Sequence, residues 1–224
     1  YERKFLCCVV TPDGKVVLVP YDYPHVVVFN SVDKSFEVLG HFEGGIKFVS
    51  CAVTSDGKVV LVPYDYPHVV VFNPADNSFE ELGHFEGAHK FGSCAVTPDG
   101  EVVLVPRYYP RLLIFNPADK SFEEIGDFEG VSKFVSCAVT PDGKVVLVPC
   151  NNLHLVVFNP ADKSFEKLGH FKYERKFVCC VVTADGRVVL VPYDYPHVVV
   201  FNSVDKSFEV VGHFEGETKE ETQM

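Results

Sequence analysis

The amino-acid sequence predicts an all-β protein assembled from five similar sheets, and three observations lead to this prediction. The pair Lys4-Phe5 recurs every 43 residues, at Lys47-Phe48, Lys90-Phe91, Lys133-Phe134 and Lys176-Phe177. Each repeat contains four short segments rich in β-branched and aromatic residues, the composition typical of strands. No segment shows a 3.6-residue apolar period with helix caps. Four strands in a unit of this length are typical of a propeller blade, so we predict a five-bladed β-propeller with four antiparallel strands per blade.

The four strands of the first unit illustrate the pattern. KFLCCVV is an apolar run that ends at the turn Pro12-Asp13-Gly14. KVVLVP is apolar almost throughout, as expected of a strand buried on both faces. After the interruption YDYP, HVVVFN is the third strand. SFEVLGHF is more polar, which indicates the outermost strand.

The repeats divide the chain into one propeller over 1–216 and a polar, acidic tail over 217–224. The predicted blades cover approximately 1–44, 45–87, 88–130, 131–172 and 173–216. The first and last units differ only at Leu6/Val178, Pro12/Ala184, Lys15/Arg187 and Leu39/Val211.

A linear solenoid is the alternative architecture, but its end units are usually atypical and polar. Here the two end units are the most alike. We therefore expect a closed ring in which five blades bury all ten sheet faces. No strand is exchanged between the ends, so we expect the seam between blades five and one to open first.

Composition narrows the function classes. The chain has 20 Lys and Arg against 31 Asp and Glu, a formal charge of −11. This balance argues against binding to nucleic acid or to an anionic membrane surface. No apolar run reaches the ~18 residues of a membrane span, and no signal-peptide pattern is present. Five of the eight cysteines recur at the 43-residue spacing, which indicates a small interface residue, reduced thiols and a cytoplasmic location.

The unit VTPDGKVVLVPYDYPHVVVFNPADKSFEELG resembles the repeats of YVTN and NHL-type propellers. The PDGKV turn and strand, the VVVFN third strand and the NPAD turn carry this resemblance across all five units. It implies the fold and says little about a ligand. The chain lacks tryptophan, unlike WD repeats, and lacks the paired glycines of kelch repeats. The count of five blades resembles tachylectin-like lectins, which carry one sugar site per blade.

The segment VPYDYPHVVVFN occurs three times, at 19–30, 62–73 and 191–202. In a blade, the connection between the second and third strands shares one rim with the connection to the next blade. Tyrosine, carboxylate and imidazole side chains should therefore gather there, as suits stacking on sugar rings and bonding to hydroxyls. The predicted ligand-binding residues are Tyr21, Asp22, Tyr23, His25, His41, Tyr64, Asp65, Tyr66, His68, His84, Tyr193, Asp194, Tyr195, His197 and His213. The alternative is that YDYP is a stiff loop covering blade edges.

Histidines recur in pairs, at His25/His41, His68/His84, His154/His170 and His197/His213. The midpoint of each pair falls in a turn, so we expect the two rings to be opposite each other on a hairpin. Unit three has Arg111 and Asp127 instead, a pair that cross-strand neighbours could tolerate. Zinc needs three or four ligands and one pair supplies two, so we predict no metal and no cofactor. The pairs do predict pH-sensitive behaviour.

These observations predict a non-catalytic, multivalent binding module whose partner is a repetitive glycan or a protein. Catalysis by paired carboxylates requires two different environments, whereas near-identical blades repeat one environment. The alternatives are a protein-interaction scaffold, and a recently duplicated or engineered repeat protein without a selected ligand. We expect a monomer.

Overall fold

A computed structural model describes residues 3–214 and confirms the five-bladed β-propeller. The described chain is all-β, with five sheets of four antiparallel strands each and no helix. In every sheet the strands are hydrogen-bonded in sequence order. The first strands of successive blades contact one another, so they form the inner layer. The predicted tail over 217–224 lies outside the described residues.

The strand bounds repeat from blade to blade. Blade one contains β1 (Phe5–Val10), β2 (Val16–Pro20), β3 (Val26–Phe29) and β4 (Phe36–Leu39). Blade two contains β5 (Phe48–Val53), β6 (Val59–Pro63), β7 (Val69–Asn73) and β8 (Ser78–Leu82). Blade three contains β9 (Phe91–Val96), β10 (Val102–Pro106), β11 (Leu112–Asn116) and β12 (Ser121–Ile125). Blade four contains β13 (Phe134–Val139), β14 (Val145–Pro149), β15 (Leu155–Asn159) and β16 (Ser164–Leu168). Blade five contains β17 (Phe177–Val182), β18 (Val188–Pro192), β19 (Val198–Phe201) and β20 (Phe208–Val211).

The apolar pattern of the second strand has the predicted consequence. Every residue of β6, β10 and β14 is buried, because each of these strands has a neighbouring blade on both faces. The fourth strands are mostly exposed or half-buried, and each lies at the outer edge of its sheet. The first strand is joined to the second by the turn predicted from Pro-Asp-Gly. Its glycine lies in the left-handed region, with φ of 82° at Gly14.

Four hydrophobic clusters hold the blades together, one at each contact between consecutive blades. Among the described residues none of these clusters joins blade five to blade one. Eight sheet faces are therefore covered, and the expectation of ten buried faces in a closed ring is wrong for this structure. The order in which the seams open is a dynamic property, so the expectation that this seam opens first stays a prediction.

The two uncovered faces belong to blades one and five. Leu18 of β2 is half-buried, whereas the equivalent Leu61 of blade two is fully buried. Val10 and Val181 expose 61% and 56% of their surface. The chain thus forms an arc of five blades with an apolar face at each end. Within 3–214 no helical segment has the length and apolar character needed to cross a bilayer.

Candidate functional site

The candidate site is one rim of the arc, where two kinds of connection meet. The first runs from the second to the third strand of a blade and contains YDYP. The second runs from the fourth strand to the first strand of the next blade and contains GHFEG. Both lie at the same edge because successive strands alternate in direction. We call this edge the YDYP rim.

A buried lysine at the start of each of blades two to five closes the second connection. Lys47, Lys90, Lys133 and Lys176 are at most 2% exposed. The Lys47 ammonium donates to the carbonyl oxygens of Asp22, Gly44 and Gly45 at 3.1, 3.0 and 2.9 Å. Burial lowers the pKa of these lysines. The lysine is visible in the sequence as the start of each repeat. Its hydrogen bonds were not predicted, because the preceding blade supplies carbonyl oxygens that accept them.

The first tyrosine of YDYP lies inside the rim. Tyr21 and Tyr64 are 8% and 6% exposed, and their ring centroids are 6.3 Å apart. The backbone at this position joins the blades, since the Tyr21 carbonyl accepts from Lys47 N at 2.9 Å. A backbone role explains why Arg107 and Cys150 can replace the tyrosine. Tyr21 and Tyr64, which were predicted to contact a ligand, therefore expose little aromatic surface. The equivalent Tyr193 is 57% exposed.

Two of the three YDYP carboxylates accept hydrogen bonds from backbone N–H groups. Asp22 Oδ2 accepts from Arg3 N at 2.9 Å, and Asp65 Oδ1 accepts from His89 N at 2.6 Å. Asp194 forms an ion pair with Arg175 Nε at 3.1 Å. These bonds position the segment that leads into a first strand. They engage one side of each carboxylate, and all three side chains keep some exposure.

The second tyrosine packs under the rim. The ring of Tyr66 lies 5.5 Å from Phe42 of the preceding blade and 5.1 Å from Phe48. Its hydroxyl donates to Glu81, and burial followed by this bond raises the tyrosine pKa. Tyr195 has the same aromatic neighbours, with Phe171 at 5.9 Å. Tyr23 contacts Phe5 at 5.4 Å but has no preceding blade.

The histidine pairs come together as predicted. The ring centroids are 5.1 Å apart in His25/His41, 5.3 Å in His68/His84, 5.3 Å in His154/His170 and 4.9 Å in His197/His213. The register differs by one residue from the expected one, because Val26 is opposite Leu39. Position 25 is therefore opposite Gly40, and its Nδ1–H donates to the Gly40 carbonyl. The rings meet because the second histidine follows immediately in the chain.

Unit three behaves differently from the expectation for exchanged pairs. Arg111 Nη1 pairs with Glu124 Oε2 at 3.2 Å on the neighbouring strand β12, rather than with Asp127. Glu124 also accepts a hydrogen bond from the Tyr109 hydroxyl. Burial and this bond raise the pKa of Tyr109 to about 12. Glu124 of β12 takes the place of Asp127 as the partner of Arg111. The sequence did not reveal this role, because Glu124 resembles any other glutamate of an outer strand.

In the part of the chain that the structure describes, no group of three or more His, Cys, Asp or Glu could hold a metal ion. The eight cysteines form no disulfide. Cys51, Cys94, Cys137 and Cys180 lie beside the blade contacts, as their 43-residue spacing predicts.

Two equivalent grooves on the opposite rim were missed by the sequence reasoning. One, of about 220 Å³, lies between blades one and two, and the other, of about 210 Å³, lies between blades two and three. Both are lined by the Pro-Asp-Gly-type turns of two blades and the Asn-Pro-Ala turn of one. The Lys58 ammonium and then the Thr54 hydroxyl hold the pKa of Asp56 below its usual value. The repeated turns were visible in the sequence, but their approach across the blade contact was not.

Fold and rim define a β-propeller with a repeated set of aromatic and imidazole side chains. No family model matches the sequence, and no curated protein matches it either. The YVTN and NHL relationship therefore stays a resemblance.

Solved structures do match. Virginiamycin B lyase from Staphylococcus aureus is similar with a TM-score of 0.78 at 11% identity, over 95% of this chain and 71% of that chain. The extracellular domain of a one-component system from B. thetaiotaomicron gives 0.74 at 10% identity, over 95% and 31%. An auxiliary nutrient binding protein from Bacteroides ovatus gives 0.66 at 13% identity, over 93% and 57%. At these identities the likeness shows the fold alone.

Proposed function

We propose that this propeller is a non-catalytic, multivalent binding module whose YDYP rim recognises a repetitive, hydroxyl-rich ligand, a glycan. One observation carries the proposal. The same tyrosine–histidine–histidine arrangement recurs on blades one, two and five. We call the first histidine of each pair the inner one and the second the outer one. The ring centroids of the second YDYP tyrosine and the inner histidine are 5.6, 6.0 and 5.8 Å apart. The centroids of the two imidazoles are 5.1, 5.3 and 4.9 Å apart. Identical sites at fixed spacing suit a ligand that repeats.

The imidazoles suit hydroxyl groups because of how they are held. In each pair the inner ring bonds through Nδ1 to a glycine carbonyl, as His197 does to Gly212 at 2.6 Å. A carbonyl only accepts, so Nδ1 carries the proton and Nε2 is the acceptor of the neutral ring. The outer rings His41, His84 and His213 are exposed. A sugar hydroxyl can donate to the Nε2 atom of the inner ring, while the sugar ring contacts the adjacent aromatic edge.

The proposal excludes catalysis for a physical reason. A glycosidase needs one protonated and one ionised carboxyl group in different environments. The YDYP carboxylates Asp22 and Asp65 instead hold backbone N–H groups in both blades. Structural neighbours include a lyase and a nutrient binding protein by name. The second name agrees with the proposal, and neither identity is high enough to transfer an activity.

A protein partner is the second candidate, and the differences between blades along the rim favour it. Arg107 lies over the Tyr64 ring at 5.5 Å, and Arg175 lies over Tyr193 at 4.6 Å. Arginine and tyrosine are enriched in protein interfaces. Arginine replaces the first YDYP tyrosine only in blade three, so a partner that uses Arg107 would bind once per chain.

A glycan array of the labelled protein tests the proposal, with readings at about pH 5.5 and about pH 7.5. We expect selective binding to one sugar family that weakens at the lower pH, because protonation converts Nε2 from an acceptor to a donor. Replacing His41, His84 and His213 together by phenylalanine should lose far more binding than replacing His41 alone. The control is His89→Phe, a histidine outside the pairs that stacks on Tyr64. A blank array, together with one partner protein bound per chain, would favour the protein-interaction scaffold.

A further inference from the structure

Two thiols meet at the contact between blades one and two. The Cys7 Sγ of β1 lies 3.3 Å from the Cys51 Sγ of β5. The two strands belong to different sheets, and both lie in the inner layer of the propeller. Both side chains pack against the hydrophobic cluster that joins these two blades. The pair therefore belongs to a blade contact that is formed on both of its sides.

The other three formed contacts repeat this arrangement with one sulfur atom instead of two. Serine occupies the position of Cys7 in blades two to four, and its hydroxyl faces a cysteine of the next blade. The oxygen–sulfur distances are 3.7 Å for Ser50–Cys94, 3.8 Å for Ser93–Cys137 and 3.7 Å for Ser136–Cys180. Among the contacts within residues 3–214, only the one between blades one and two can therefore form a bond between two sulfur atoms.

Strand alternation separates Cys7 from the cysteine that follows it. Successive side chains of a strand point to opposite faces, so Cys8 lies on the face of β1 that is turned away from blade two. Cys8 is exposed, whereas Cys7 and Cys51 are half-buried. The partial exposure of the pair lets a small oxidant reach it without opening the blade contact.

The surroundings divide the two thiols into a nucleophile and a proton donor. The hydrogen bond from Cys51 lowers the pKa of Cys7 to about 7, against the opposing effect of burial. The same hydrogen bond, followed by burial, raises the pKa of Cys51. At neutral pH Cys7 is therefore partly a thiolate, which is the reactive form of cysteine.

The remaining inner-layer cysteines have the opposite chemistry. Burial raises the pKa of Cys94 to about 12 and that of Cys180 to about 11, and it also raises the pKa of Cys137. A thiol that stays protonated reacts slowly with oxidants and alkylating reagents. The chain thus contains three unreactive cysteines with which Cys7 can be compared.

We propose that Cys7 and Cys51 are a site of reversible oxidation, at which hydrogen peroxide converts the two thiols into a disulfide bond between blades one and two. The Cys7 thiolate attacks one peroxide oxygen, which breaks the O–O bond and gives a sulfenic acid and hydroxide. The hydroxide takes up the proton that Cys7 had lost and becomes water. The Cys51 sulfur then attacks the Cys7 sulfur, and the sulfenic hydroxyl leaves with the Cys51 proton as a second water.

The geometry requires little rearrangement for this reaction. A disulfide bond is ~2.05 Å long, so the two sulfur atoms need to approach by about 1.3 Å. The bond joins residues 44 positions apart in the chain, and a cross-link of this kind restricts the unfolded state. A small thiol can reverse it by exchange. This inference stands independently of glycan binding at the YDYP rim.

Peptide mass spectrometry after treatment with hydrogen peroxide tests the proposal. The Cys8→Ser protein is the starting point, because trypsin leaves Cys7 and Cys8 in one peptide, 5–15, and Cys51 in another, 48–58. After oxidation the free thiols are blocked, and the denatured protein is digested without reductant. We expect the two peptides to be joined within single chains, and dithiothreitol to separate them again.

Two variants distinguish this pair from the other cysteines. Cys7→Ser copies the serine of blades two to four and should abolish the joined peptides. Cys180→Ser is the control at another blade contact and should leave them unchanged. Iodoacetamide gives an independent readout of the thiolate in the reduced protein. At neutral pH we expect Cys7 to be alkylated at least about tenfold faster than Cys180.

Three results would each overturn the proposal. The first is that the two peptides stay separate after oxidation, including the case in which Cys7 is oxidised to the sulfinic acid while Cys51 stays a free thiol. The second is a link that forms only between different chains, as shown by non-reducing electrophoresis. The third is alkylation of Cys7 that is no faster than that of Cys180.

Discussion

The interior blade contacts and the two end faces use the same residues in different surroundings. Phe171 is 7% exposed at an interior contact, whereas its equivalent Phe214 is 59% exposed at the end. Lys133 is buried and its ammonium donates to Gly130, whereas Lys4 is exposed. A side chain in this protein therefore stabilises the fold only where a neighbouring blade supplies the other half of the contact. Matched substitutions at the two places measure that contribution, with all unfolding done at low protein concentration to keep the end faces uncovered.

The largest difference is expected for the phenylalanine at the start of the first strand. Phe134→Ala should lower the free energy of unfolding by roughly 3–5 kcal/mol, because the ring is fully buried against Phe128. Phe5→Ala should cost less than half as much, since no preceding blade covers the ring. Urea unfolding followed by circular dichroism measures both. Equal losses would show that the end face is covered in solution.

The buried lysine gives the next largest difference. Lys133→Met keeps the length of the side chain but leaves the Gly130 carbonyl without its donor at 2.9 Å. We expect a loss of about 1–3 kcal/mol in the free energy of unfolding. Lys4→Met should change it by less than about 0.5 kcal/mol, as for an ordinary surface position. A stabilised Lys133→Met protein would mean that the desolvation of the ammonium outweighs its hydrogen bonds.

Tyr109 of blade three should make the free energy of unfolding depend on pH in the alkaline range. Burial and the bond to Glu124 raise the folded pKa of Tyr109 to about 12, above the ordinary tyrosine value of about 10. The stabilisation is therefore fully present below pH 10 and is lost as the pH rises towards 12. Tyr109→Phe should flatten this part of the stability profile, as measured by urea unfolding at stepped pH. Glu124→Gln, which keeps an acceptor without the charge, should flatten it partly.

The smallest difference concerns the outer ion pairs. Lys120→Ala removes the half-exposed pair with Glu80 and should cost at most about 0.5 kcal/mol, less at high salt. At the end of the arc no carboxylate pairs with Lys34 among the described residues, so Lys34→Ala should be neutral. Thermal unfolding at two salt concentrations distinguishes the two. A salt-dependent loss at Lys34 would show that its ammonium has a charged partner in solution.

Much of the fold followed from local pattern. The doubly apolar VVLVP predicted a strand between two neighbours, and β6, β10 and β14 are buried throughout. The histidine pairs were also expected from their distances to the turn, although the register places His25 opposite Gly40 and His41 one residue further along. The rim was less predictable. Tyr21 and Tyr64 looked like ligand contacts, yet they are buried, since a residue's exposure here depends on the adjacent blade rather than on its own loop.

The sequence by itself determined the number of blades, their four strands and the order of those strands, because each is a property of one 43-residue unit. Only the tertiary structure decided whether the ring closes, which tyrosines reach the surface and what the buried lysines bind. Those outcomes depend on the angle between neighbouring blades and on backbone carbonyls supplied across the contact. Phe171 and Phe214 both follow a Gly-His pair at the same position of similar units, so the difference in their exposure arises from the neighbouring blade.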